Sequence, residues 1–210
     1  MEIHHPEKPI HSPKEFLFHM FTVVLGILIA LGMEGIVEWA HHRALVREAR
    51  ANIATELRHN QETIAKALPE IKAQEQQLQN VIALVEELEK THKLKEQRVD
   101  YSFSSHELYS TAWKTASVSG AVTYMDYEEL KNYTDAYDDQ QDFITIQNLA
   151  FPMIGELSAA MQVLNRDLSK TPDSKLDEIQ KQAIRLLSIE QGMESEAISL
   201  SKDYKKALRE

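Results

Sequence analysis

The sequence predicts an all-α protein: an N-terminal transmembrane helix continuing into a long stalk helix, with an antiparallel helical bundle distal to the membrane. Three observations predict it. Phe16–Val37 (FLFHMFTVVLGILIALGMEGIV) is an apolar run of the length a bilayer core requires, about 20 residues. Leu57, Ile64, Ile71, Leu78 and Val85 then recur at seven-residue spacing, which lays a narrow apolar seam along a helix. Only six Gly and six Pro interrupt a 210-residue chain rich in the helix formers Glu, Gln, Ala, Leu and Lys, and no window alternates as a strand would.

The expected order is a polar tail over 1–15, the transmembrane helix over 16–38, the stalk over 39–100 and distal helices over 101–210. Between His19 and Glu34 nothing is more polar than Thr22. A signal peptide would need a basic leader and a small-x-small cleavage site, and MEIHHPEKPIHSPKE supplies no such leader, so a retained anchor is expected. Gly26, Ala30, Met33 and Val37 share one helix face, a small-xxx-small pattern that lets helices approach closely. Ordinary glycine usage in membrane helices gives the same pattern without association. Lys8 and Lys14 flank one side, and Arg43, Arg47 and Arg50 flank the other. This basic patch suits lipid headgroups, but the margin is too narrow to fix the side on which the large domain lies.

In the stalk, a companion series Ile53, Asn60, Ala67, Gln74, Val81 and Leu88 includes two polar residues that weaken the seam and fix register. The seam packs either against later helices of the chain or against another subunit. Pro69 kinks the helix or opens a new one, and the charged stretch 90–100 marks its end. Beyond it, Ser104 or Ser105 is expected to cap a helix from near His106, with Leu108, Ala112 and Ala116 on one side and Gly120 at its end. Asp126 with Glu129 suggests a capping box for a helix whose face includes Leu130, Tyr133, Tyr137, Ile144 and Phe151, bent or broken at Pro152. The turn 171–174 precedes a last helix with Leu176, Ile179, Ala183, Leu186 or Leu187, Met193, Ala197 and Leu200 in line and Glu190 interrupting them.

Two segments carry a resemblance. FTVVLGILIALGMEGIVEWAHHRALVREARANIATEL (Phe21–Leu57) and TAWKTASVSGAVTYMDYEELKNYTDAYDDQQDF (Thr111–Phe143) resemble an uncharacterised bacterial family of small single-pass membrane proteins. Its pattern is a GILIAL anchor, a charged helix, then an AW…SG segment and a Tyr-rich helix. The resemblance implies a location in the bacterial inner (cytoplasmic) membrane and supplies no enzymatic activity, because that family has no assigned function. Relatives with a strongly basic tail look oriented with the domain outside; this chain lacks that tail, so the side stays open.

Several chemistries are excluded or weakly signalled. A net charge of −10 opposes nucleic-acid binding, which needs a basic footprint. The absence of cysteine removes disulfides, thiolate metal sites and cysteine nucleophiles. GxSxG, HExxH and phosphate-cradling glycine loops are absent. Glu34, Glu38, His41 and His42 cluster where the apolar run ends and are the candidates for a metal or proton site, although adjacent histidines diverge by about 100° on a helix. Asp135, Asp138, Asp139 and Asp142 form an acidic face, and a calcium loop needs carbonyl ligands that a helix withholds. Tyr109, Trp113, Tyr124, Tyr127, Tyr133 and Tyr137 suit either a docking patch or a core.

The expected function is non-enzymatic: a membrane-anchored interaction or assembly protein with no cofactor, oligomeric or accessory to a membrane complex. Its partners would be the lipid bilayer and either itself or another membrane protein. The interaction residues would be Gly26, Ala30, Met33, Leu57, Ile64, Ile71, Tyr109, Trp113, Tyr133 and Tyr137. The alternatives are a ligand-sensing bundle with an aromatic pocket and a metal-dependent membrane enzyme.

Overall fold

The computed structural model describes residues 13–91, 101–164 and 172–209, all helical apart from short connections. Helix α1 runs Pro13–Thr91, α2 Thr111–Val118, a 3₁₀ turn Ala121–Tyr124, α3 Tyr127–Leu164 and α4 Asp173–Leu208. The charged stretch 92–100 and Thr171 of the expected turn lie outside the described residues. The chain divides into two compact units, 1–48 and 49–210.

The first unit, over its described residues, is one helix. It opens on Pro13, a residue suited to the first helical position because its missing N–H would be unpaired there anyway. The apolar stretch is long and apolar enough to cross a membrane by length and composition, and residues 13–41 are all exposed.

The second unit is built on heptads. On α1 both seam series are closed: Ile53, Leu57, Asn60, Ile64, Ala67, Ile71, Gln74, Leu78, Val81, Val85 and Leu88 are all buried. The alternating three- and four-residue steps identify coiled-coil packing. Pro69 does not break α1, and Pro152 does not break α3. Both prolines lie on the exposed face, where the carbonyls they leave unpaired meet water and the helix can curve around its core.

Helix α4 follows the expected line and selects Leu186, with Glu190 inside the core and Tyr204 and Ala207 extending the stripe. Helix α3 is rotated from its expected face. Tyr133 and Tyr137 are buried as expected, but the buried line is Glu129, Tyr133, Ala136, Tyr137, Gln140, Phe143, Gln147, Ala150, Leu157, Ala160 and Met161. Leu130 and Ile144 are only half-buried and Phe151 is exposed. Fully buried Ala136 and Ala150 on α3 and Ala183 and Ala197 on α4 leave space for the two backbones, whose Cα atoms come within 8 Å.

Contacts fix the directions. Arg50 meets Glu129, Glu56 meets Tyr137 and Asn60 meets Gln140, so α3 runs parallel to α1. Gln180 meets Glu86, Glu194 meets Lys72 and Tyr204 meets Gln140, so α4 is antiparallel to both. The bundle is antiparallel through α4, while α1 and α3 run parallel to each other within it. The reason lies in residues 101–126, which return along α1: Ser102 lies at Gln77, Tyr109 at Asn60 and Ala112 at Glu56.

Gly120 ends this return segment with φ +76°, a left-handed conformation favourable only to glycine. A Cβ would find open space there, so only backbone strain opposes a substitution. Gly120→Ala is expected to lower stability by about 1 kcal/mol, read as a lower thermal midpoint of the full chain. An unchanged midpoint would show that the turn relaxes freely. Asp126 caps α3 through Oδ1, which accepts from the Glu128 N–H at 3.0 Å. Glu129 does not complete the expected box, because its carboxylate is taken by Arg50.

Candidate functional site

In the first unit Gly26, Ala30, Met33 and Val37 are exposed along the helix. A Cβ added at Gly26, Gly32 or Gly35 would meet no atom within 4 Å. Where the apolar run ends, the Arg43 guanidinium lies 5.3 Å from the Trp39 ring centre, a cation–π arrangement. Glu38 Oε1 and His42 Nε2 are 3.9 Å apart, one turn along the helix. The rings of His41 and His42 are 6.1 Å apart and tilted by 53°. Among the described residues no three His, Asp or Glu side chains converge as a metal ion would need, so Glu34, Glu38, His41 and His42 do not assemble into a chelate.

In the second unit the distinctive construction is a non-helical strap, residues 101–110, where the sequence reading places a helix from His106. Buried backbone groups must find partners, and here side chains of the long helices supply them. Asn60 accepts from the Tyr109 N–H (2.9 Å) and donates to the Tyr109 carbonyl (2.7 Å). Gln147 does the same at His106, accepting from N–H at 2.7 Å and donating to the carbonyl at 3.1 Å. Gln77 Oε1 accepts from the Ser102 N–H at 2.9 Å. Each side-chain amide here replaces a neighbouring strand. Glu56 then caps α2 from another helix, accepting from the N–H groups of Ala112 (2.9 Å) and Trp113 (3.4 Å) and from the Tyr137 hydroxyl (2.7 Å). Ser104 and Ser105 therefore cap nothing. These four helix side chains outweigh the weak local preference of a short isolated helix.

The polar layers interlock. Gln140 donates to the Tyr109 carbonyl at 3.1 Å, and its own oxygen accepts from Asn60 (3.0 Å) and Tyr204 (2.7 Å). One layer further on, fully buried Glu190 accepts from the Tyr101 hydroxyl at 2.8 Å. Gln74, with its amide nitrogen toward Glu190, donates to both carboxylate oxygens and accepts from the Ser104 N–H at 2.8 Å. Burial pushes Glu190 up to about 7; the Tyr101 hydrogen bond opposes the rise and the nearby Glu75 carboxylate adds to it. Glu75 is itself raised, first by burial and then by Glu194. His106 lies 3.7 Å from Glu70, and burial lowers its pKa.

The aromatic residues divide. Trp113 stacks on Tyr137 (5.3 Å, 10°) and tilts against Tyr133 (6.4 Å), so these rings fill one another's space. Tyr109 lies against His59 at 5.3 Å and is exposed, as are Tyr124 and Tyr127. Of the acidic face, Asp135 pairs with Lys131 and Lys206. Asp139 is raised by burial and by Asp203, while Asp138 and Asp142 are exposed.

Leu57, Ile64 and Ile71 have zero exposure inside the second unit, so the stalk seam is closed by the chain's own packing. Arg50, expected among the headgroup-facing basic residues, instead makes a two-bond pair with Glu129 (2.7 and 2.6 Å). Beside this pair is a cavity of about 340 Å³ lined by Arg50, Arg58, Glu129, Tyr133, Leu208 and Arg209 among others. Neither the family models, nor the curated proteins, nor the solved structures compared with this chain match it.

Proposed function

We propose that the protein is a single-pass, membrane-anchored interaction or assembly module of the bacterial inner membrane, acting as an oligomer or as an accessory subunit rather than as an enzyme. One observation carries the reading. Every side chain of 13–41 is exposed, whereas the second unit has a closed heptad core. An apolar helix of that length with no partner among the described residues is covered by lipid or by other helices. Because Leu57, Ile64 and Ile71 are consumed by internal packing, the contact surface narrows to the anchor. There Gly26 and Ala30 offer a shallow face on which another helix can approach closely.

The test is native mass after gentle extraction from the membrane. The wild-type chain is expected at a multiple of 24.1 kDa, or with the added mass of a second protein. Gly26→Ile with Ala30→Ile is expected to shift it toward the single-chain mass. An unshifted mass would remove the anchor face from the reading.

A further inference from the structure

We propose that the loop 115–127 of the second unit rests on the bilayer at headgroup depth, an inference that depends on the apolar helix being the anchor. Sequence and exposure single the loop out together. Thr115–Met125 (TASVSGAVTYM) has no charged side chain, in a chain that is 27% charged. Val118 is 89% exposed, more than any large apolar residue of the apolar helix itself. Tyr127 at 73% equals the most exposed of those, Phe18, and Tyr124 is 51% exposed. Scattered exposed apolar residues are ordinary, but three on one short uncharged loop mark a contact surface. Successive turns hold its shape: the Gly120 N–H donates to the Ser117 carbonyl at 3.2 Å, the Thr123 N–H to Gly120 at 3.1 Å and the Met125 N–H to Val122 at 3.2 Å. A loop already ordered loses little freedom on contact.

The place of the loop in the second unit says which surface it meets. Ala112 lies at Glu56 and Glu129 at Arg50, so the loop between them occupies the end of the unit at which α1 enters it, at Ala49. Val37, the last residue of the apolar run, precedes Arg50 by thirteen residues. That tether is about 20 Å long as a helix and at most about 45 Å long when extended. On either figure it lets this end of the unit reach the surface of a bilayer that holds the anchor.

Lipid is the occupant these side chains suit. A Tyr ring joins an apolar body to a polar hydroxyl, the combination that concentrates at membrane–water interfaces, and Ser117, Ser119 and Thr123 add hydroxyls between the exposed apolar groups. The charged groups at this end lie outside 115–125: Arg50 and Glu129 bond each other, Asp126 caps α3, and Glu128 and Arg209 are exposed. Asp126 and Glu128, on either side of Tyr127, oppose both deep insertion and an anionic lipid. The contact is therefore shallow and made with zwitterionic headgroups.

The chain has no cysteine, so single introduced cysteines can carry nitroxide labels in the purified full chain, reconstituted in phosphatidylcholine vesicles. The readout is the ratio of collisions with oxygen, which enriches in lipid, to collisions with a water-soluble nickel chelate. Leu28→Cys, in the apolar run, reports the anchor. Ser174→Cys reports water; it is exposed at the far end of the unit, where Gln180 meets Glu86. Val118→Cys and Thr123→Cys report the loop. The ratio at both loop sites is expected several-fold above that at Ser174 and below that at Leu28. Loop sites that match Ser174 while Leu28 reads lipid overturn the loop contact and leave the anchor standing. A Leu28 ratio that matches Ser174 overturns the anchor and the loop contact with it. Loop labels shielded from both reagents mean that a second copy covers the loop, the chain being the only protein present, and overturn lipid as the occupant.

Discussion

Asn60→Ala is expected to destabilise the second unit by about 3 kcal/mol, the largest loss for any single polar side chain in its core. Asn60 has no exposed surface and makes three hydrogen bonds, two to the Tyr109 backbone and one to Gln140. Truncation leaves the Tyr109 N–H without a partner, and an orphaned buried donor costs about 1–3 kcal/mol. It also opens a void between closely packed helices, which adds to the loss. The Tyr109 carbonyl keeps its bond from Gln140, so the damage is bounded. Asn60→Asp separates the contributions: it preserves the acceptor for Tyr109 N–H but sets a carboxylate against the Tyr109 carbonyl. Its defect is therefore expected to lessen on acidification, while that of Asn60→Ala does not. Denaturant unfolding of the full chain in micelles measures both, and a loss below about 1 kcal/mol for Asn60→Ala would show that the strap is held elsewhere.

Raising the pH from about 5 to 8 is expected to destabilise the fold, with Glu190 as the main cause. Its folded pKa is near 7 against a reference of 4.5, so the folded state holds the proton more tightly. The contribution is complete below about pH 4.5 and is lost as pH rises through 7. A gap of that size is worth about 3 kcal/mol at 1.36 kcal/mol per unit. Among the described residues, the groups facing Glu190 are the Tyr101 hydroxyl, the Gln74 amide and the Glu75 carboxylate, none of them a cation. Glu190→Gln keeps an acceptor for Tyr101 and removes the titration. It is expected to match the wild type near pH 5 and to exceed it by about 2 kcal/mol at pH 8. Wild-type and variant stability curves that stay parallel across this range would refute the assignment; Asp139, also raised and not among the groups facing Glu190, is common to both chains and cancels in the comparison.

The long-range periodicity was legible because apolar residues at heptad spacing have one consistent solution. The whole seam from Ile53 to Leu88 and nearly the whole stripe on α4 follow from it. The polar exceptions were legible as exceptions: Asn60, Gln74 and Glu190 stood out for lying where apolar residues belonged. What could not be read was their purpose, because it depends on a segment distant in sequence. The same cause misaligned α3. Glu129, Gln140 and Gln147 look like surface residues, so the apolar reading settled on Leu130, Ile144 and Phe151. The strap was missed because its helix competes with partners 25 to 49 residues away, which no local window contains. The arginine cavity draws on both ends of the second unit and has no local signature at all.

The way the strap is held has a consequence for where its structural information resides. Asn60 and Gln147 grip the peptide groups of Tyr109 and His106 without touching their side chains, and Gln77 grips the Ser102 N–H at 2.9 Å, with the Ser102 hydroxyl only at 3.4 Å. The folded path of 101–110 is thus written mainly in the helices that surround it. Most residues could take the places of Ser102, His106 or Tyr109 without disturbing these bonds, and proline, which lacks the N–H, could not. The holders have no such freedom. Divergence of the visible segment and constancy of its unseen supports would be the same structural fact.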